Sequence, residues 1–221
     1  MNNTIPKIIH YCWLGKGEKS NFAKMCINKW KQKLVGYEFI EWNEENFNIH
    51  INKYVEEAYK NKKYAFVSDY VRLYALKNYG GIYLDTDVEV LSDFNMFLNL
   101  NAFVGFEDIE LVSTAVIGAK RNNELINEWI KTYDNKVFIK NGKMNTETNV
   151  RNLTNILLAH GLKQNNTQQN IFNDNITVFP IEYFSPLKIG RKKPKITFNT
   201  KCIHWFDGSW LTRNQHIKLF T

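Results

Sequence analysis

The stretch from residue 64 to 90 constrains the fold more than any other part of the chain. Apolar residues recur at helical spacing over residues 65–79, with Val67, Tyr70, Val71, Tyr74 and Leu76 in the middle. Gly80-Gly81 then stops the helix, one of them suited to a left-handed cap. The chain passes at once into Ile82-Tyr83-Leu84, a short buried-strand pattern, then Asp85-Thr86-Asp87, then Val88-Glu89-Val90. A helix that turns on glycines into an apolar strand is a unit of a layered α/β sheet. Two carboxylates at the end of such a strand call for something that neutralises them.

The flanking sequence repeats this alternation. Residues 5–14, β-branched and aromatic, read as a first strand closed at Gly15. Ser20 is suited to cap a helix over Asn21–Lys33, and Gly36 precedes a second strand at residues 37–42. A helix is expected at Lys53–Lys60, strands at 102–106 and 113–117, and helices at 124–132 and 147–160. The Asn/Gln-rich segment 164–175 reads as a surface loop, and late strands are expected at 178–179 and 201–206. No repeat or linker divides the chain, so residues 1–221 read as one domain. At 44% hydrophobic and 14% aromatic the chain can build a core, which excludes wholesale disorder. No apolar run approaches the ~20 residues of a membrane span. The opening residues do not read as a signal peptide, and Cys12, Cys26 and Cys202 lack metal-ligand spacing. Both features favour free thiols and a cytoplasmic setting.

The acidic residues carry the chemistry. In an extended segment Asp85 and Asp87 project to one face and could share a divalent cation, although an Asp-x-Asp alone is equally a solvated turn. Asp69 and Arg72, at i and i+3, share a helix face; in isolation they are a weak surface ion pair, but the Gly-Gly turn can bring them beside the Asp-x-Asp strand. Trp13 is open between base stacking and core packing. His10, His160, Trp30, Trp42 and Trp129 read as structural, Glu107 and Asp108 as a solvated loop in reach of an acceptor, and Asn149 and Arg151 as weaker candidates of the same kind.

Residues 65–76 followed by Gly80-Gly81-Ile82-Tyr83-Leu84-Asp85-Thr86-Asp87 resemble the sugar-binding region of the Asp-x-Asp glycosyltransferases. That family 32-like superfamily includes capsular-polysaccharide sugar transferases, yeast-type initiating mannosyltransferases and the glucosyltransferase domains of large clostridial toxins. The opening Ile5-Pro6-Lys7-Ile8-Ile9-His10-Tyr11-Cys12-Trp13-Leu14-Gly15 and the closing His204-Trp205-Phe206-Asp207-Gly208-Ser209-Trp210 are similar to its outer motifs. The resemblance implies a GT-A (Rossmann-like) α/β fold with a mixed central sheet flanked by helices. It also implies retaining transfer of a hexose from a nucleotide sugar, most simply a UDP-sugar, with Mn²⁺ or Mg²⁺ as cofactor. Carried over, Asp87 is the main metal ligand, and Asp85 bridges ribose, sugar and metal-bound water. Asp69 and Arg72, with Tyr83 beside them, grip the sugar hydroxyls and diphosphate, and Trp13 stacks on the base. His204, Asp207 and Ser209 compete to complete the metal shell, and Trp210 covers the diphosphate.

The implied acceptor is a glycan or lipid-linked oligosaccharide in surface polysaccharide assembly. A formal charge of +7 suits anionic partners. Its densest basic run, residues 188–195 with Lys188, Arg191, Lys192, Lys193 and Lys195, is either a solvated loop or a peripheral contact with the inner face of a membrane. Rival readings are a glycosylating effector acting on protein and a basic nucleic-acid-binding module. The second is disfavoured because no recognised motif is present and the basic run lacks interleaved aromatics. A dehalogenase-type phosphohydrolase would place Thr or Val where Glu89 stands.

Overall fold

The computed structural model describes residues 4–188, 190–191 and 193–207. In chain order, strand β1 (Ile8–Cys12) leads to α1 (Asn21–Lys33), β2 (Glu38–Trp42), α2 (Lys53–Lys60), α3 (Tyr64–Tyr79), β3 (Gly81–Leu84), β4 (Val88–Val90) and β5 (Ala102–Gly105). Next come β6 (Val116–Ala119), α4 (Glu124–Lys131), the hairpin β7 (Ile139–Lys140) and β8 (Lys143–Met144), and α5 (Asn149–Ala159). The chain closes with β9 (Gln169–Ile171), β10 (Ile176–Phe179), α6 (Ile181–Phe184) and β11 (Cys202–His204).

Seven strands form one mixed sheet in the order β2-β1-β3-β6-β5-β10-β9, and β4 pairs with β11 in a separate antiparallel ribbon. Strand alternation divides the core between the two faces. Tyr83, Ile117 and Val104 point to the side covered by α2–α5, whereas Ile82, Leu84, Val116 and Phe103 point to the side covered by α1, α6 and the β4–β11 ribbon. Gly80 and Gly81, at φ +67° and +109°, turn α3 into β3. Gly81 also lies so close to the Ile8 carbonyl that a Cβ there would stand 2.6 Å from it. β1, β3 and β5 run the same way, so their carboxyl ends emerge together, which is where open α/β sheets place their ligands.

Several expectations need correction. Asp85-Thr86-Asp87 is a turn, closed by the Val88 N–H donating to the Asp85 carbonyl at 3.0 Å, and not an extended segment. The first strand covers only Ile8–Cys12, because the Ile5 N–H bonds Leu98 outside the sheet. The strand expected at 113–117 is instead Val116–Ala119, because the Thr114 and Ala115 carbonyls serve Arg72 and Asp85. Segment 164–175 contains the edge strand β9, paired with β10, where the expectation was loop throughout.

Candidate active site

At the carboxyl edge of β3 the α3 side chains meet the Asp-x-Asp turn. Arg72 is 4% exposed, and its Nη2 lies 3.0 Å from Asp69 and 3.4 Å from Asp85. The pair read from sequence as a weak surface bridge is therefore a buried one. Arg72 Nη1 donates to the Thr114 carbonyl at 2.7 Å and Nε to the Ser68 carbonyl at 3.2 Å, while the guanidinium sits 4.6 Å from the Tyr83 ring centroid. Every guanidinium nitrogen thus has a protein partner, which makes Arg72 a clamp on Asp69 and Asp85. The Tyr83 hydroxyl donates to Asp85 Oδ1 at 2.9 Å. Burial pushes the Asp69 carboxyl up to about 6, against the pull of Arg72.

Asp87 faces the other way, toward β11. His204 Nε2 lies 3.5 Å from Asp87 Oδ2, and the Asp207 N–H donates to the same oxygen at 2.9 Å. Phe206 takes φ +54°, a left-handed turn that brings the chain back over Asp87. Burial raises the Asp87 carboxyl, but His204 and the backbone N–H groups of Asp207 and Asp87 together hold it low. Burial lowers His204, but Asp87, Glu107 and Asp85 together raise the imidazole to about 9.

Sequence reasoning treated Glu107 as part of a solvated loop. It instead stands at the carboxyl end of β5, accepts from the Ser113 hydroxyl at 3.1 Å and is raised by burial. Residues 113–115 link three charged groups in succession: Ser113 holds Glu107, Thr114 holds Arg72, and the Ala115 carbonyl accepts the Asp85 N–H at 2.9 Å. No spacing motif announces this link, because it joins groups far apart in sequence. Trp13 lies half-buried just beyond β1, its indole N–H donating to the Gly17 carbonyl at 2.7 Å. Asn149 is buried, accepts from Trp129 Nε1 at 3.0 Å and donates to the Asp69 carbonyl at 3.3 Å. His10, Trp30, Trp42 and Trp129 are core residues. Ser209 and Trp210 lie outside the described residues.

Residues 20–104 match the family described as glycosyltransferase sugar-binding region containing DXD motif. Over 229 aligned residues the chain is 28% identical to the uncharacterized glycosyltransferase L373 of Acanthamoeba polyphaga mimivirus, covering 98% of this chain and 88% of the viral protein. The matched region and the viral relative both make the chain similar to glycosyltransferases. An 82-residue stretch is 39% identical to the uncharacterized protein At4g19900 of Arabidopsis thaliana, covering 34% of this chain and 12% of the plant protein. The solved PaToxG glycosyltransferase superposes with a TM-score of 0.52 at 19% identity over 71% of each chain, a likeness of fold. The mixed seven-stranded sheet flanked by helices is accordingly a GT-A α/β arrangement.

The donor set at this edge suits a hard divalent cation. Asp85, Asp87 and His204 each offer a ligand atom, all within 4.8 Å of one another. The buried His204 Nδ1 has no partner among the described residues. Asp69, Asp85, Asp87 and Glu107 bring four carboxylates to one edge, beside the Arg72 guanidinium and the His204 imidazole. The excess of negative charge is what a dication would offset.

Proposed function

We propose that the chain, acting as a single GT-A domain over residues 1–221, is a retaining, divalent-metal-dependent hexosyltransferase. It takes a nucleotide sugar, most simply a UDP-sugar, and serves a glycan or lipid-linked acceptor in surface polysaccharide assembly. The observation that carries this is the convergence of Asp85, Asp87 and His204 within 4.8 Å beside the Asp69–Arg72 clamp.

In this reading Asp85, Asp87 and His204 hold Mn²⁺ or Mg²⁺, which when bound supplies Lewis-acid stabilisation of the departing diphosphate. Asp85 is oriented by Arg72 and by the Tyr83 hydroxyl. Asp69, fixed by Arg72, accepts from sugar hydroxyls, and Arg72 adds a permanent positive charge near the leaving group without releasing its protein partners. Trp13, at the same edge of the sheet, offers an indole face to the base; Trp210, expected to cover the diphosphate, and Ser209, a competing metal ligand, lie outside the described residues. No carboxylate in the sequence was an obvious nucleophile, which favours same-face attack assisted by the departing phosphate.

The test is a thermal-shift panel of nucleotide sugars with and without Mn²⁺, followed by donor hydrolysis. Asp87→Ala is expected to stay folded and to lose Mn²⁺-stimulated hydrolysis; hydrolysis at the wild-type rate in that variant rejects the site.

A further inference from the structure

The segment that leads into β11 presents a hydrophobic tip unconnected with the metal cluster. Phe198 is 96% exposed and Ile196 51% exposed. The turn carrying them is pinned: the Thr200 N–H donates to the Thr197 carbonyl at 3.2 Å, the Thr197 N–H to Thr200 Oγ1 at 2.9 Å, and the Asn199 N–H to Thr197 Oγ1 at 3.2 Å. A rigid turn therefore holds a phenyl ring out in water, where a chain gains nothing by placing it.

Cations precede and follow this tip in the chain. Lys188, Arg191, Lys193 and Lys195 are exposed, and Lys201 Nζ lies 5.9 Å from the Phe198 ring centroid. Among the described residues no carboxylate forms an ion pair with Lys188, Arg191 or Lys193. Glu182, whose carboxyl is lowered by its hydrogen bonds and in part by Lys195, accepts from Asn199 Nδ2 at 2.8 Å. An exposed aromatic and a β-branched aliphatic flanked in the chain by exposed basic side chains match the two layers of an anionic bilayer, acyl boundary and phosphate. Single-stranded nucleic acid would instead use several stacking rings, and one is present here.

We infer that the turn carrying Phe198 and Ile196 docks the protein on an anionic phospholipid surface, with the ring inserted at the acyl boundary and Lys188, Arg191, Lys193 and Lys195 on the headgroup phosphates. Phe198 is six residues from His204, so at most about 20 Å of extended chain separates the anchor from the metal cluster. That separation suits an acceptor whose reactive end stands just above the bilayer. The inference deepens the lipid-linked reading of the acceptor and rests on it.

The full chain is sedimented with phosphatidylcholine vesicles, with and without phosphatidylglycerol, at low and high salt. Binding is expected only to the anionic vesicles and is expected to fall with salt. Phe198→Ser should weaken it roughly tenfold, and Lys193→Gln and Lys195→Gln by about fivefold each. Phe198→Trp should show a blue-shifted emission on the anionic vesicles. Binding undiminished in Phe198→Ser, or an emission that shifts with single-stranded RNA and not with vesicles, overturns the inference. Mn²⁺-dependent donor hydrolysis, read without vesicles on the same variants, is expected to stay unchanged. Absence of anionic-vesicle binding in the wild type, with hydrolysis intact, rejects the anchor; absence of hydrolysis in the wild type rejects the transferase reading.

Discussion

Asp87 and His204 face each other at 3.5 Å across the β4–β11 ribbon, whose register sets His204 opposite Val88. The ribbon is antiparallel, so the position of the imidazole follows from strand pairing and does not depend on a loop. The imidazole keeps Nδ1 without a partner among the described residues.

His204→Ala tests whether that imidazole is a ligand. Wild-type protein at 100 times the Mn²⁺ dissociation constant should gain about 2.7 kcal/mol of stability. Loss of one ligand that weakens the ion tenfold removes about 1.4 kcal/mol of that gain. Thermal unfolding with stepped Mn²⁺ reads the difference, and an unchanged Mn²⁺ shift in the variant excludes His204 from the shell.

Arg72 is engaged on all three guanidinium nitrogens, and this fixes what its replacement should do. Arg72→Met leaves the half-buried Asp69 and Asp85 without their shared counter-charge, at a cost of about 3 kcal/mol. Arg72→Lys keeps the charge but loses the fork, at a cost of about 1–3 kcal/mol. Both should lose donor binding. Urea unfolding and nucleotide-sugar thermal shifts check the order Met worse than Lys; equal stabilities would show that hydrogen-bond geometry at Arg72 is unimportant.

Much of this was legible because it is local. Ser20 accepts from the Ala23 N–H as a cap, α1 and α2 span the residues their periodicity indicates, and Gly80-Gly81 marks the α3–β3 turn. The short contacts were harder to read. Asp-Thr-Asp looks the same in a strand or a turn, and only the Ala115 carbonyl on the Asp85 N–H and the Val88 N–H on the Asp85 carbonyl decide for the turn. Asp85 consequently pairs with Arg72 and Asp87 with His204, while their ligand atoms stay within 4.8 Å of one another. β9 was hidden by its polar residues, since Gln169 uses its side chain to close the preceding loop while its backbone pairs with β10. Glu107 was hidden because its partner, Ser113, lies across a loop and carries no motif.

Gly118 tests the sheet that carries the site. It pairs with Ile82 on one side and Phe103 on the other, and a Cβ there would stand inside the fully buried Phe103 ring. Gly118→Ala should cost about 1–3 kcal/mol, through displacement of Phe103 or separation of β5 from β6. Urea denaturation measures it, and an unchanged midpoint would mean that Phe103 can move without cost.

His10 gives the pH dependence. Burial lowers its imidazole to about 4, against the Gly80 carbonyl that favours the charged form. Nε2 lies 2.8 Å from that carbonyl and Nδ1 accepts from Trp42 Nε1 at 3.2 Å, so a second proton would set two donors against each other. The unfolded chain, near 6.5, binds protons more readily than the folded one, so stability rises with pH in this window. The contribution is fully present above about pH 6.5 and is lost as pH falls toward 4, amounting to about 3 kcal/mol. Asp69, raised to about 6 by burial, acts with opposite sign over part of that range, and its contribution is lost as pH rises through its folded value. His10→Gln isolates the imidazole because Asp69 is common to both proteins. The stability advantage of wild type over His10→Gln, measured by urea unfolding at steps from pH 7 to 4, should shrink steadily as pH falls, and a constant difference would show that His10 does not titrate between the folded and unfolded states.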